Sequence, residues 1–175
     1  MNNDQHAFSN EIILYGFRPT ATGLAAIAVS RNGVVAILLG ANRHELSGKL
    51  ADALAATDLV EDETSIGATL DAVARHVANP TVAPEFDLDM RGSDDERAVW
   101  AALRAIPTGE TRSYGALAKA IGTGITAQEV GMACAANHLA IVIPCHRVLK
   151  ADGSISGYRW GVHRKRKLLV MEKAA

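Results

Sequence analysis

Cysteine is scarce in this chain, since only Cys134 and Cys145 occur among its 175 residues. A disulfide-stabilised secreted domain would need more cysteines. The two also lack the Cys-x-x-Cys spacing of zinc and redox sites. We therefore expect no metal and no cofactor, and two thiols that are either inert core residues or reactive groups.

Long apolar segments are also missing from the sequence. No run approaches the ~20 residues that cross a bilayer. The polar N-terminus, residues 1–10, has no apolar signal-peptide region. The expectation is a cytoplasmic protein, a monomer that does not contact membranes.

The net charge of −1 conceals an uneven distribution of charged residues. Residues 1–90 hold 5 basic and 12 acidic side chains, a balance of −7, whereas residues 91–175 hold 13 and 7, a balance of +6. This asymmetry suggests that the second half faces a polyanion such as nucleic acid. A chance partition of surface charge would give the same numbers, and charge alone does not separate the two interpretations.

The pattern of apolar residues predicts an α+β fold in two domains. In the first ninety residues, β-prone runs, a hairpin turn at Asn32-Gly33 and two amphipathic helices predict a small antiparallel sheet with helices. The predicted strands and helices cover residues 11–17, 22–30, 34–39, 44–57 and 65–78. Prolines and a glycine in residues 79–94 indicate a linker with one short extended piece. We therefore divide the chain into a structural domain, 1–90, and a mostly helical domain, 91–175.

The second domain contains the outline of a helix-turn-helix. Ser113 can cap a helix over residues 114–121, and a capping box at Thr126 and Glu129 opens another that ends near Ala136. Ordinary helical hairpins share this outline. The second helix carries little bulk around Gly131, which favours close packing within the protein over close approach to nucleic acid.

Cys145 and His146 form a candidate nucleophile and base, because the thiolate is the reactive form of cysteine and an imidazole can take its proton. Glu172 is a candidate for orienting the histidine. The alternative is that Cys145 is a buried structural thiol. If the segment were a strand, the two adjacent side chains would also point to opposite faces.

The residues around Cys145 separate these alternatives. The run 143–148, Ile-Pro-Cys-His-Arg-Val, resembles the active-site signature of the O6-alkylguanine-DNA alkyltransferases. The resemblance continues through 152–161, is strong over roughly 91–172 and is looser before that. Within the family, the chain is similar above all to the C-terminal domains of bacterial adaptive-response (Ada-type) proteins.

The resemblance implies a direct-reversal repair protein that binds double-stranded DNA and flips the damaged guanine into a pocket. Cys145 would take the alkyl group from O6-methylguanine, and possibly from O4-methylthymine, in one irreversible step. The resemblance also implies a ribonuclease H-like N-terminal domain. It assigns catalytic roles to Cys145, His146, Glu172, Asn137 and Tyr114.

Further roles come from the same resemblance. The substrate pocket would be formed by the Val148 carbonyl, the Tyr158 ring, the Arg159 amide and the indole of Trp160, which would favour small alkyl groups. DNA would be bound by Tyr114, Gly115, Thr123, Ala127, Gln128 and Gly131.

Gln128 departs from the family pattern, which has an arginine that fills the gap left by the flipped base. Glutamine offers an amide but no charge, so we expect weaker DNA binding or slower flipping. Glu129 would repel phosphate unless the capping box holds it aside. Flanking cations such as Arg112, Lys119 and Lys150 could compensate. The basic run 164–167 is interpreted as a solvated helix face.

Three other functions would leave different signs in the sequence or in an assay. A non-repairing lesion sensor would carry another residue in place of Cys145. A transcriptional regulator of an adaptive response would need an N-terminal cysteine cluster and a further DNA-reading module. A cysteine hydrolase would turn over, and mass spectrometry would find no lasting adduct.

Overall fold

A computed structural model describes residues 11–55 and 57–174. Three antiparallel strands open the fold: β1 (Ile12–Thr20), β2 (Gly23–Ser30) and β3 (Gly33–Gly40). The predicted hairpin is confirmed. Ser30 is paired to Gly33, whose φ of +137° suits glycine. β1 continues past its predicted end at residue 17 and includes Pro19. Proline is tolerated there because β4 pairs only with the first half of β1, so its missing N–H faces no second strand.

A fourth strand makes the sheet mixed rather than antiparallel, which corrects the prediction. α1 (Arg43–Ala53) ends before residue 57, and the chain then forms β4 (Asp58–Glu61). β4 runs parallel to β1, and the strand order is β3-β2-β1-β4. α2 (Gly67–Ala78) packs on β1, as its buried Leu70 and Val73 require.

The remaining residues form a mostly helical part. Its elements are α3 (Asp94–Arg104), β5 (Arg112–Ser113), α4 (Tyr114–Ile121), α5 (Ala127–Ala136), a 3₁₀ turn (Cys145–Arg147), β6 (Val148–Leu149) and α6 (Val162–Ala174). Both predicted capping boxes are present, at Ser93 and at Thr126. α3 packs against α5, and the Trp100 indole donates to the Ala133 carbonyl at 2.9 Å. The small side chains of α5 therefore serve internal packing on this face.

β3 joins the two parts of the molecule. The Ile37 amide donates to the His138 carbonyl at 2.8 Å, and the Ala140 amide donates to the Ile37 carbonyl at 3.0 Å. The segment that leads to Cys145 is thus attached to a buried strand, and one apolar core runs through both parts. None of the helices within the described ranges is both long and apolar enough to cross a membrane.

Candidate active site

Cys145 follows a strained turn. Ile141, which is 1% exposed, has a φ of +72°, a conformation that costs a β-branched residue about 1–3 kcal/mol. Cys145 then opens the 3₁₀ turn, with its amide bonded to the Ile143 carbonyl at 2.8 Å. Because this segment is a turn and not a strand, the side chains of Cys145 and His146 are not forced to opposite faces.

Asn137 connects the end of α5 to the thiol. Its side chain is fully buried, and its amide nitrogen lies 3.0 Å from the Ile143 carbonyl and 3.4 Å from Cys145 Sγ. Its oxygen accepts the Leu139 amide at 2.7 Å. These bonds fix the side-chain orientation, so that the second N–H of the amide points at the sulfur and favours its anionic form.

His146 and Glu172 form a buried pair 2.7 Å apart. The Arg147 guanidinium binds the same carboxylate at 2.8–3.2 Å and also donates to the Ile106 carbonyl. Burial alone would raise the pKa of Glu172, but the bonds from His146 and Arg147 outweigh it and lower the pKa to about 2. Glu172 is therefore ionised, and Arg147 compensates its unfavourable position near the C-terminus of α6. The resemblance did not assign a role to Arg147, although it lies within the Pro-Cys-His-Arg motif.

The ionised carboxylate determines the histidine tautomer. It can only accept a hydrogen bond, so His146 Nε2 carries the proton and Nδ1 keeps its lone pair. Nδ1 is buried and has no hydrogen-bond partner among the described residues. Burial lowers the pKa of His146, which keeps the ring neutral near pH 7. The site therefore contains an oriented base next to the cysteine in sequence.

Lys165 is fully buried, so the interpretation of 164–167 as a solvated face is wrong at this residue, whereas Arg166 and Lys167 are exposed. Its ammonium donates to the Val148 carbonyl at 2.7 Å and to Ser156 Oγ at 2.9 Å, and Ser156 Oγ lies 2.6 Å from the Tyr114 hydroxyl. Carbonyl and hydroxyl acceptors take the place of water around the buried charge. Burial raises the pKa of the Cys145 thiol, whereas the Asn137 bond and the charge of Lys165 lower it. The thiol consequently needs the base to ionise near neutral pH.

A cavity of about 320 Å³ opens above the sulfur. Its wall includes Cys145, Tyr114, Gly131, Tyr158 and Arg159. A Cβ on Gly131 would lie 3.9 Å from the Tyr114 ring, so the glycine leaves room beside it. The structure thus brings five predicted site residues to one cavity.

Two predicted pocket residues lie outside the cavity wall. Trp160 is 2% exposed and packs edge-on against Tyr158, with ring centroids 5.2 Å apart, so it supports the wall from behind. Val148 is buried, and its carbonyl holds Lys165. A carbonyl oxygen has two lone pairs, so this bond leaves one for a ligand.

Four of the predicted DNA-binding residues are exposed on α4, the following turn and the start of α5. They are Gly115, Thr123, Ala127 and Gln128. Glu129 is held in the capping box, where one carboxylate oxygen accepts the amide and the hydroxyl of Thr126, each at 2.7 Å. Within the described part of the chain, no group of three or more acidic, histidine or cysteine side chains could hold a metal ion.

Comparison with known proteins identifies the family of this chain. Residues 94–174 match the family model described as 6-O-methylguanine DNA methyltransferase, DNA binding domain. The methylated-DNA–protein-cysteine methyltransferase of Mycobacterium bovis is 42% identical over 118 residues, which cover 67% of this chain and 72% of that protein. The chain belongs to the methylated-DNA–protein-cysteine methyltransferase family.

Other relatives extend this match over nearly the whole chain. The bifunctional transcriptional activator/DNA repair enzyme Ada of Escherichia coli is 40% identical over 96% of this chain, which spans 48% of that protein. The chain thus spans about half the length of Ada. The crystal structure of Mycobacterium tuberculosis O6-methylguanine methyltransferase superposes with a TM-score of 0.74 at 31% identity, covering 93% of each chain. The same enzyme in complex with DNA gives a TM-score of 0.71 at 30% identity, again with 93% of each chain covered. The mixed α+β architecture is therefore that of this transferase family.

Proposed function

We propose that this protein repairs alkylated DNA by direct reversal, transferring the alkyl group of O6-methylguanine irreversibly to its own Cys145. The observation that carries the proposal is a buried thiol at a cavity, with Asn137 Nδ2 3.4 Å from its sulfur and an adjacent His146 oriented by Glu172. The family membership supports the same reaction. Names of relatives specify DNA repair and methylated DNA as the substrate.

Activation of the Cys145 thiol depends on a base that takes its proton and on groups that stabilise the two resulting charges. His146 Nδ1 takes the Cys145 proton, through one water where direct contact is not made, and Glu172 stabilises the resulting imidazolium. The Asn137 amide and the Lys165 charge stabilise the thiolate. In this environment the ion pair forms only as the reaction begins, which keeps the resting thiol unreactive.

The substrate base would enter the cavity after flipping out of the duplex, because a stacked base hides its O6 atom from a protein nucleophile. The carbonyls of Cys145 and Val148 would accept from the exocyclic amine. The Arg159 amide would face O6, and the Tyr114 hydroxyl would bond N3 of the guanine. The wall of the cavity, which includes Tyr114 and Tyr158, suits a flat base.

α4 and α5 would act as a helix-turn-helix, with the exposed start of α5 in contact with the duplex. The capping box should reduce the repulsion between Glu129 and a DNA phosphate, since the Glu129 carboxylate already accepts two hydrogen bonds from Thr126. Gln128 would occupy the place of the base and bond the orphaned partner with its amide. We expect this amide to hold the flipped state more weakly than arginine would.

The same proposal gives the two parts of the chain separate tasks. A C-terminal domain, 91–175, would carry the chemistry and the DNA contacts, and an N-terminal domain, 1–90, of ribonuclease H-like architecture would support it. The family match over 94–174 supports this division. Action on cellular DNA accords with a cytoplasmic monomer, which stays a prediction.

Single use distinguishes this function from a cysteine hydrolase. The product is a thioether, whose sulfur is a poor leaving group, so the alkyl group stays on the protein. Titration of the protein with a duplex that carries one O6-methylguanine tests this directly. Repaired guanine should rise until it equals the amount of protein and then stop. Continued repair beyond that point would contradict the proposal, and no repair by folded protein would favour a lesion sensor.

A further inference from the structure

Lys165, Ser156 and Tyr114 form a chain of hydrogen bonds that leads from the interior to the cavity above Cys145. The ammonium of Lys165, which is fully buried, lies 2.9 Å from Ser156 Oγ, and Ser156 Oγ lies 2.6 Å from the Tyr114 hydroxyl oxygen. Tyr114 belongs to the cavity wall. Ser156 therefore connects a buried charge to a hydroxyl that can contact a bound base.

The direction of these hydrogen bonds follows from the groups involved. An ammonium can only donate, so Ser156 Oγ accepts from Lys165 and keeps its own proton for a second partner. Within residues 11–55 and 57–174, the Tyr114 hydroxyl is the one remaining partner in reach. The opposite direction, from Tyr114 to Ser156, would leave the serine proton without an acceptor in this part of the chain.

The charge of Lys165 favours the same direction. A cation attracts the oxygen of a neighbouring hydroxyl and repels its hydrogen, so the Ser156 proton points away from Lys165 and towards Tyr114. Hydrogen bonds in a chain also polarise one another, which strengthens each donor. Burial raises the pKa of Tyr114, and the Ser156 hydrogen bond opposes that effect, as a donor to the phenol oxygen does.

On the basis of the proposed alkyl transfer, we propose that Ser156 is a positioning residue that makes the Tyr114 hydroxyl a donor to the flipped guanine. Because its oxygen accepts from Ser156, Tyr114 directs its own proton into the cavity, where N3 of the base would accept it. Negative charge grows on the guanine as its bond to the alkyl carbon breaks, so a polarised donor binds the transition state more tightly than the ground state. The chain from Lys165 thus acts on the leaving base, separately from the effect of Lys165 on the thiolate.

A lesion that lacks the acceptor distinguishes this role from a general effect on the site. Single-turnover rates of methyl transfer are measured on duplexes that carry O6-methylguanine or its 3-deaza analogue, in which a C–H group replaces N3. Ser156→Ala should slow transfer from O6-methylguanine about fivefold, the effect of one hydrogen bond, and leave the rate on the 3-deaza analogue unchanged. A loss of folded protein, or a weaker effect of Lys165 on the sulfur, would slow both lesions equally.

Three further variants make the result specific to the serine hydroxyl. Ser156→Thr keeps a hydroxyl and should retain most of the rate on O6-methylguanine. Ser154→Ala removes a hydroxyl of the same loop that bonds Asp152 instead of Tyr114, and it should leave the ratio of the two rates unchanged. In a Tyr114→Phe background, which has no hydroxyl to orient, Ser156→Ala should have no further effect on that ratio.

Three results would overturn the positioning role of Ser156. They are an unchanged rate of Ser156→Ala on O6-methylguanine, an equal loss of rate on both lesions, and an effect on their ratio that persists without the Tyr114 hydroxyl. Failure of the unmodified protein to transfer methyl from O6-methylguanine would overturn the proposed repair function, and with it this inference.

Discussion

Glu172→Gln should inactivate the site by moving one proton on His146. In the native site the ionised carboxylate accepts from His146 Nε2 at 2.7 Å, which leaves Nδ1 as the base. A glutamine would give its oxygen to Arg147, which bonds both carboxylate oxygens, and would turn its NH₂ group towards the ring. Nε2 would then accept a hydrogen bond, Nδ1 would carry the proton, and the ring could no longer deprotonate Cys145.

Two magnitudes follow from this change. Loss of a general base lowers a rate by about 10²–10⁴-fold. Removal of one charge of a buried ion pair costs about 3–5 kcal/mol of stability, because Arg147 keeps its charge without an opposite charge beside it. The variant should therefore be slower by at least about 100-fold and clearly less stable. The lost rate should return in part at high pH, where the thiol ionises without help.

The assay is the single-turnover rate of methyl transfer against pH, with the folded fraction measured by circular dichroism at each point. The tautomer is read from the ¹⁵N chemical shifts of the His146 ring. Glu61→Gln is a matched control, since its exposed pair with Arg43 contributes only about 0–1 kcal/mol. A folded Glu172→Gln protein with a rate close to that of the unmodified protein would refute the proposed role of the pair.

Three further predictions concern DNA opening, the thiolate and acid. Gln128→Arg should raise the rate of methyl transfer from duplex DNA about fivefold, the effect of roughly one added hydrogen bond, and should change the rate on single strands less. Equal rates of the variant and the unmodified protein on duplex DNA would count against the proposed role of this position. Asn137→Ala should slow transfer about tenfold or more and cost about 1–3 kcal/mol in urea unfolding, because the buried Leu139 amide loses its acceptor and the Ile143 carbonyl keeps only the Cys145 amide as a donor. An unchanged midpoint of unfolding would contradict this. The free energy of unfolding should fall as the pH drops below about 6.5, because the pKa of His146 is lowered in the folded protein and the unfolded chain therefore binds a proton at higher pH. It should fall further between pH 4.5 and about 2, where Glu172 is protonated. Denaturant midpoints that do not change from pH 7 to 5 would exclude the first effect.

Local signals in the sequence predicted much of the fold. The hairpin at Asn32-Gly33 and the capping boxes at Ser93 and Thr126 are formed by residues close together in the sequence. Their local patterns therefore predict them without any knowledge of the tertiary fold. β4 was missed because four residues, Asp58–Glu61, are too few for a periodic pattern, and their strand conformation depends on pairing with β1.

The candidate site was predicted by family resemblance rather than by residue chemistry, because its parts come from distant segments. Lys165 lies in a run of four basic residues that is typical of a solvated helix face. Its burial depends on acceptors from Val148 and Ser156, which only the tertiary fold brings to it. The same holds for Arg147, whose carboxylate partner lies 25 residues away.

The identity of the modified residue decides whether Cys145 is the alkyl acceptor. After reaction with duplex DNA that carries O6-methylguanine, the intact mass and the peptide map of the protein are measured. We expect one added methyl group, located on Cys145. Cys134 also lines the cavity and is buried, but burial raises the pKa of its thiol to about 12, so it should stay unmodified. Cys134→Ser should react normally and Cys145→Ser not at all. A methyl group on any other residue, or restored guanine without an adduct on the protein, would be incompatible with alkyl transfer to Cys145.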